Sequence, residues 1–138
     1  MLLLALAAAD DSGLSPIQIQ KTMFLLDRSV AEYIQEPRYS FRPYNYGPFD
    51  AQVYDDSERL AADGLAEIRR HTQSRYATVM VSQEGKRRAE AIAQKEDPEF
   101  IEYIHELVQW VLKQTFRSLV QAIYEQHPEM RANSVFRD

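Results

Sequence analysis

Few side chains in the 138 residues could carry a reaction. His105-Glu106 opens like the zinc-protease helix motif, in which paired histidines hold the metal and the glutamate acts as base, but Gln109 stands where the second histidine is required. His71 lies in a basic turn and His127 beside Pro128, and neither is accompanied by the base, acid and nucleophile that hydrolysis needs. Asp10-Asp11 and Asp55-Asp56 are neighbouring carboxylates; adjacent residues diverge on a helix, so Asp55-Asp56 reads as a solvated face before an acid-base dyad. Glycine occurs only at 13, 47, 64 and 85, which leaves no phosphate-cradling loop, dinucleotide fingerprint or nucleophile elbow. The absence of cysteine excludes disulfides, thiolate zinc sites and a cysteine nucleophile, and fits a reducing compartment. The expectation is a cytoplasmic protein that is not an enzyme and takes no metal or cofactor.

Two surfaces stand out from this background. The first is basic. Residues 69–88 carry six positive charges against one negative in a chain whose net charge is −5. Arg69, Arg70, His71 and Arg75 sit at a hairpin tip, with Lys86, Arg87 and Arg88 after Gly85. Such charge suits contact with phosphate, or equally an ordinary solvated hairpin, because it positions a duplex without reading its bases. The second is aromatic: Tyr44, Tyr46, Phe49 and Tyr54 crowd one region. They read either as a small core wedging two helices together or as a partner groove, since tyrosine is favoured in interface hot spots.

The elements that must position these residues follow from periodicity and punctuation. Leu2 to Ala9 is an apolar first helix; it lacks a basic leader and is too short to span a bilayer, so it is expected in the core. Ser15-Pro16 supplies an N-cap and first position for a second helix, running to about Gln35 before Pro37, with Gln18, Gln20 and Lys21 near its polar side. Tyr39 to Phe49 is an irregular aromatic connection with strand character over Ser40 to Tyr44. Pro48 suits the start of a third helix, with Val53, Tyr54, Leu60 and Ala61 as its apolar stripe and Gly64 as its stop. Leu65 to Ile68 and Tyr76 to Val81 read as two strands joined by the basic turn Arg69 to Arg75, before a helix over Lys86 to Gln94. After Pro98 a long amphipathic helix is expected from Phe100 to Ile123, with Lys113 to Thr115 as the one place where it could break, and Met130 to Asp138 forms a docked or loose tail. With 45% hydrophobic content the chain is one domain by length, with residues 1–95 as core and 98–126 as a helical extension.

Gln20-Lys21-Thr22-Met23-Phe24-Leu25-Leu26, Tyr44-Asn45-Tyr46-Gly47-Pro48-Phe49, Val53-Tyr54 and Leu60 to Leu65 together resemble the SocA-like or Panacea antitoxin domain, a phage-associated bacterial family. From Val53-Tyr54 through Gly64-Leu65 to Tyr76-Ala77-Thr78 and Gly85 the chain is also similar to winged-helix regulators of the PadR and MarR kind. The resemblance covers about residues 14–90. It implies a small non-enzymatic protein that neutralises a toxin, recruits a partner or regulates transcription. The expected fold is α+β and mostly helical: a winged-helix-like centre with a small antiparallel hairpin as its wing, and a long C-terminal helix. The expected partner is a protein, met by Tyr44, Tyr46, Phe49, Tyr54, Asp55 and Asp56. The alternative is DNA, met by Arg69, Arg70, His71, Arg75, Lys86, Arg87 and Arg88. Against DNA, the helix that would enter the groove carries Asp50, Asp55, Asp56, Glu58 and Asp63 with Arg59 alone in opposition. No membrane contact is expected, and Phe100 to Tyr124 offers apolar surface for pairing with a second copy.

Overall fold

A helix apolar on every side must be surrounded, and Leu2–Ala9 (α1) is: Leu2, Leu3, Ala5, Leu6 and Ala9 are buried among the elements that follow. The computed structural model describes residues 1–30, 39–70 and 77–136. Among these the fold is α+β: α1, Pro16–Val30 (α2), Arg42–Tyr44 (β1), Gly47–Phe49 (β2), Ala51–Ala62 (α3), Ala66–Arg70 (β3), Ala77–Val81 (β4), Gln83–Ala93 (α4), Pro98–Lys113 (α5) and Phe116–Gln126 (α6). The stretch expected to extend α2 to Gln35 lies outside the described residues, as do His71, Arg75 and Tyr76.

The strands form two separate antiparallel hairpins, β1-β2 and β3-β4. In the second, Ile68 faces Val79, and Val79 in turn exchanges both backbone hydrogen bonds with Leu14, each 2.9 Å long. The segment between α1 and α2 is thereby fixed to β4. α1 packs on α3, α4, α5 and β4, and one core of Leu6, Leu14, Ile19, Met23, Leu26, Val53, Ile104 and Val108 fills the space between. A second cluster, Phe24, Val111, Leu119, Val120, Ile123, Tyr124, Met130 and Phe136, joins α2 to the C-terminal elements. Gln109, which occupies the place of the missing histidine, donates to the Ala8 carbonyl at 2.9 Å and so satisfies one of the orphan acceptors at the end of α1.

Three expectations are corrected. The helix expected from Pro48 begins at Ala51, because Gly47–Phe49 pairs as β2; its N-cap is Asp50, whose side chain accepts from the Gln52 amide. The long C-terminal helix is two helices. Gln114 adopts an extended backbone, and Thr115 and Ser118 form a reciprocal capping box that starts α6 afresh. Arg69 and Arg70, read as part of the turn, belong to β3.

At Gly85, α4 lies tight against the second hairpin. A Cβ there would collide with the Leu65 carbonyl oxygen and stand 2.8 Å from Val81 Cγ2. That same carbonyl receives the Ser82 amide, so it is not free to move aside. Gly85→Ala should cost about 2–3 kcal/mol and lower the melting temperature by roughly 5–10 °C; a melting curve that does not shift would mean that α4 has room to spare.

Candidate functional site

The aromatic connection folds as the hairpin β1-β2, with Arg42, Pro43 and Tyr44 opposite Phe49, Pro48 and Gly47. Neither Asn45 nor Tyr46 takes a positive φ; Gly47, at φ 109°, completes the reversal instead. Pro43 and Pro48 face each other at the position of the ladder where backbone N–H groups point outward, so neither ring costs the hairpin a hydrogen bond.

Two strands of three residues are marginal by themselves, and the outer groups of this pair are satisfied by other elements. On the β2 side the Gln20 carboxamide accepts from the Asp50 amide at 3.0 Å and donates to the Asp50 carbonyl at 2.9 Å. Lys21 Nζ donates to the Pro48 carbonyl at 3.5 Å. On the β1 side the Val135 amide donates to Asn45 O at 2.9 Å, and Asn133 Nδ2 donates to Pro43 O at 3.4 Å. Gln20 and Lys21 were expected near the polar side of α2, but they are 1% and 4% exposed. Ile19 to Phe24 is buried without interruption, so this part of the helix has no solvent side. The tail is docked: Phe136 is buried and meets Phe116 and Tyr124 edge-on.

Of the residues expected to meet a protein, Tyr44, Phe49 and Tyr54 come together as a ladder, with ring centroids 4.9 Å and 5.6 Å apart. Arg42 lies over the outer ring. Burial raises the Tyr54 hydroxyl above its usual pKa, opposed by a hydrogen bond with Gln20. Tyr46 turns the other way and meets Phe116 at 5.2 Å, forming one wall of a groove of about 290 Å³ lined also by Ile17, Gln18, Thr115 and Leu119. Tyr44, Tyr46 and Phe116 remain 45%, 41% and 43% exposed. Asp55 is exposed on α3 beside Glu58. Asp56 is half-buried and accepts from the Tyr39 hydroxyl at 2.6 Å and the Gln52 amide group at 2.9 Å. Phe116, Phe136, Gln20 and Lys21 were not among the residues expected to form the site, although Gln20 and Lys21 open the stretch that carries the family resemblance.

Of the described residues expected to meet DNA, Lys86, Arg87 and Arg69 have acids beside them. Lys86 contacts Asp10 at 2.7 Å and Asp11 at 3.6 Å, and the Asp10 hydrogen bond raises the Lys86 ammonium above its usual pKa. Arg87 pairs with Glu84 at 2.7 Å and Arg69 with Glu67 at 3.7 Å. Arg70 and Arg88 have no ion pair among the described residues. His105 is exposed on α5, and His127 packs edge-on against Phe24 with Glu129 3.5 Å away. No group of three His, Asp or Glu among the described residues could hold a metal ion, and no helix there is long and apolar enough to cross a membrane. Comparison with protein-family models, curated proteins and solved structures finds no match to this chain.

Lys21 generates two predictions. Burial lowers its ammonium from the ordinary 10.5 to about 8, and no carboxylate among the described residues forms an ion pair with it. Between those values the folded chain has released a proton that the unfolded chain still holds, so stability should rise with pH, by up to about 3 kcal/mol. Below pH 8 both states hold the proton and the cost of burying the charge is present in full. Denaturant titrations from pH 7 to 10 should show that rise in the parent and lose it in Lys21→Met. The second concerns the turn above the amine: Gly47→Ala forces a side chain into a positive φ, 3.4 Å from Lys21 Cε, and should lower stability by about 1 kcal/mol or more.

Proposed function

We propose that the chain is a non-enzymatic binding module of the regulatory or antitoxin kind, and that a protein partner docks on the aromatic hairpin and the exposed side of α3. One observation carries the reading: Tyr44 and Tyr46 stand exposed on a hairpin whose outer backbone groups are held by Gln20, Lys21 and the tail. Large aromatic side chains on a rigid base lose little entropy on binding, the condition under which tyrosines become hot spots. Asp55 and Glu58, exposed on α3, favour a partner with a basic rim. The resemblance to the antitoxin domain points the same way, since it rests on the Gln-Lys helix and the Tyr-Gly-Pro turn that meet here.

The second reading is a winged-helix DNA-binding regulator. Chain order supports it in part: with the hairpin β1-β2 standing as an insertion between α2 and α3, the succession of α1, the Leu14 bridge to β4, α2, α3 and β3-β4 resembles that of a winged helix, with β3-β4 as wing. Against it, Lys86, Arg87 and Arg69 have acids at hand, and α3 would bring Asp55 and Glu58 towards phosphate.

Affinity capture from the native cell, identifying both co-purifying protein and nucleic acid, tests the pair of readings. Tyr44→Ala with Tyr46→Ala should weaken capture of the partner by at least about tenfold, or 1.4 kcal/mol, and Asp55→Lys with Glu58→Lys should do the same. Arg70→Glu with Arg88→Glu should leave it intact. Tight, salt-sensitive duplex binding lost only in the arginine variant would establish the DNA reading instead.

A further inference from the structure

Among the described residues the β3-β4 hairpin has one edge met by Leu14 and one open one. Because Val79 turns its N–H and C=O to Leu14, they face away from β3. Val79 stands opposite Ile68, so the alternation of an antiparallel ladder turns the backbone groups of Ile68 away from β4 as well, together with those of Ala66 and Arg70 two residues to either side. None of these outward groups has a partner among the described residues. Glu67 to Arg70 are exposed throughout, Ile68 at 38%. An open edge of this kind is a template for another strand.

The sequence of β3 is complementary to itself. When Ala66-Glu67-Ile68-Arg69-Arg70 is laid antiparallel on a second copy, about a two-fold axis through Ile68, Ile68 meets Ile68, Ala66 meets Arg70, and Glu67 meets Arg69 on both sides of the axis. The pairs at 66, 68 and 70 are those whose N–H and C=O face outward, so the register that matches the charges also sets these groups opposite one another, with exposed Ile68 at the axis and Ala66, 4% exposed, at the covered end of each strand. The Glu67–Arg69 contact within one chain is long, 3.7 Å, between side chains that are 58% and 61% exposed; such a pair is worth little and is readily exchanged for a directly opposed one across the strands. The two Ile68 side chains would meet on the face that holds Val79 and Val81, both buried, and would extend it.

We propose that β3 is an interface between two copies of this chain, joined edge to edge into one continuous antiparallel sheet with β4 on each outer side. The contact is isologous and closes on itself, so it stops at a dimer. It uses none of the residues assigned to the docking hairpin.

Sedimentation equilibrium on the full chain tests it by exchange of charge. The parent should be a reversible dimer. Arg69→Glu alone and Glu67→Arg alone should each weaken association at least tenfold, because each sets like charges opposite one another. An equimolar mixture of the two variants should associate again, since each supplies the charge that the other lacks, and the double variant should associate as the parent does. Amide exchange at Ile68 and Arg70 in the parent should slow with rising concentration, and this readout stands even if a variant fails to fold. A parent that stays monomeric, a dimer indifferent to both single changes, or folded single variants that do not associate when mixed would each overturn the proposal, and so would protection of those amides only on addition of an acidic peptide.

Discussion

The clamp of Gln20 on Asp50 is the contact on which the rest depends. A hairpin of three residues per strand has too little ladder to hold itself against water, and unpaired backbone groups at its buried edge would be costly. The Gln20 carboxamide answers both needs by presenting a donor and an acceptor to one residue, as a neighbouring strand would. Asp50 is a junction in its own right: its two carboxylate oxygens accept from Gln52 and Ser40, the first of these capping α3. Moving Gln20 would therefore disturb α2, the hairpin and the start of α3 together. The aromatic ladder from Tyr44 through Phe49 to Tyr54 crosses the same junction.

Much of the framework was legible in the sequence. Ser15-Pro16 starts α2 as expected, with Ser15 and Gln18 hydrogen-bonded reciprocally, and Asp97-Pro98 starts α5 with the Asp97 carboxylate on the Glu99 amide. These are local signals, fixed by neighbours a few residues away. What escaped was set by distant partners. Pro48 satisfies the requirements of a first helical position and of a strand position whose N–H points outward equally well, and only its pairing with Pro43 decides between them. Gln20 and Lys21 look like a polar helix face until the groups they serve, some 30 residues away, are in place. The break at Thr115 was sensed, but the reciprocal bonds with Ser118 that make it a new helix start were not.

The charge pattern changes meaning once its neighbours are known. Counted along the chain, residues 69–88 are a basic island. In space Asp10 and Asp11, some 75 residues earlier, stand against Lys86, and Glu84 and Glu67 stand against Arg87 and Arg69. Exposed pairs of this kind add little stability, but they cancel much of the far field on which attraction to a polyanion depends. The aromatic hairpin owes nothing to that field. The backbone that carries its outer rings is held by hydrogen bonds with buried side chains, which salt screens little, so a surface built on Tyr44 and Tyr46 keeps its shape at ionic strengths where the basic one would fade.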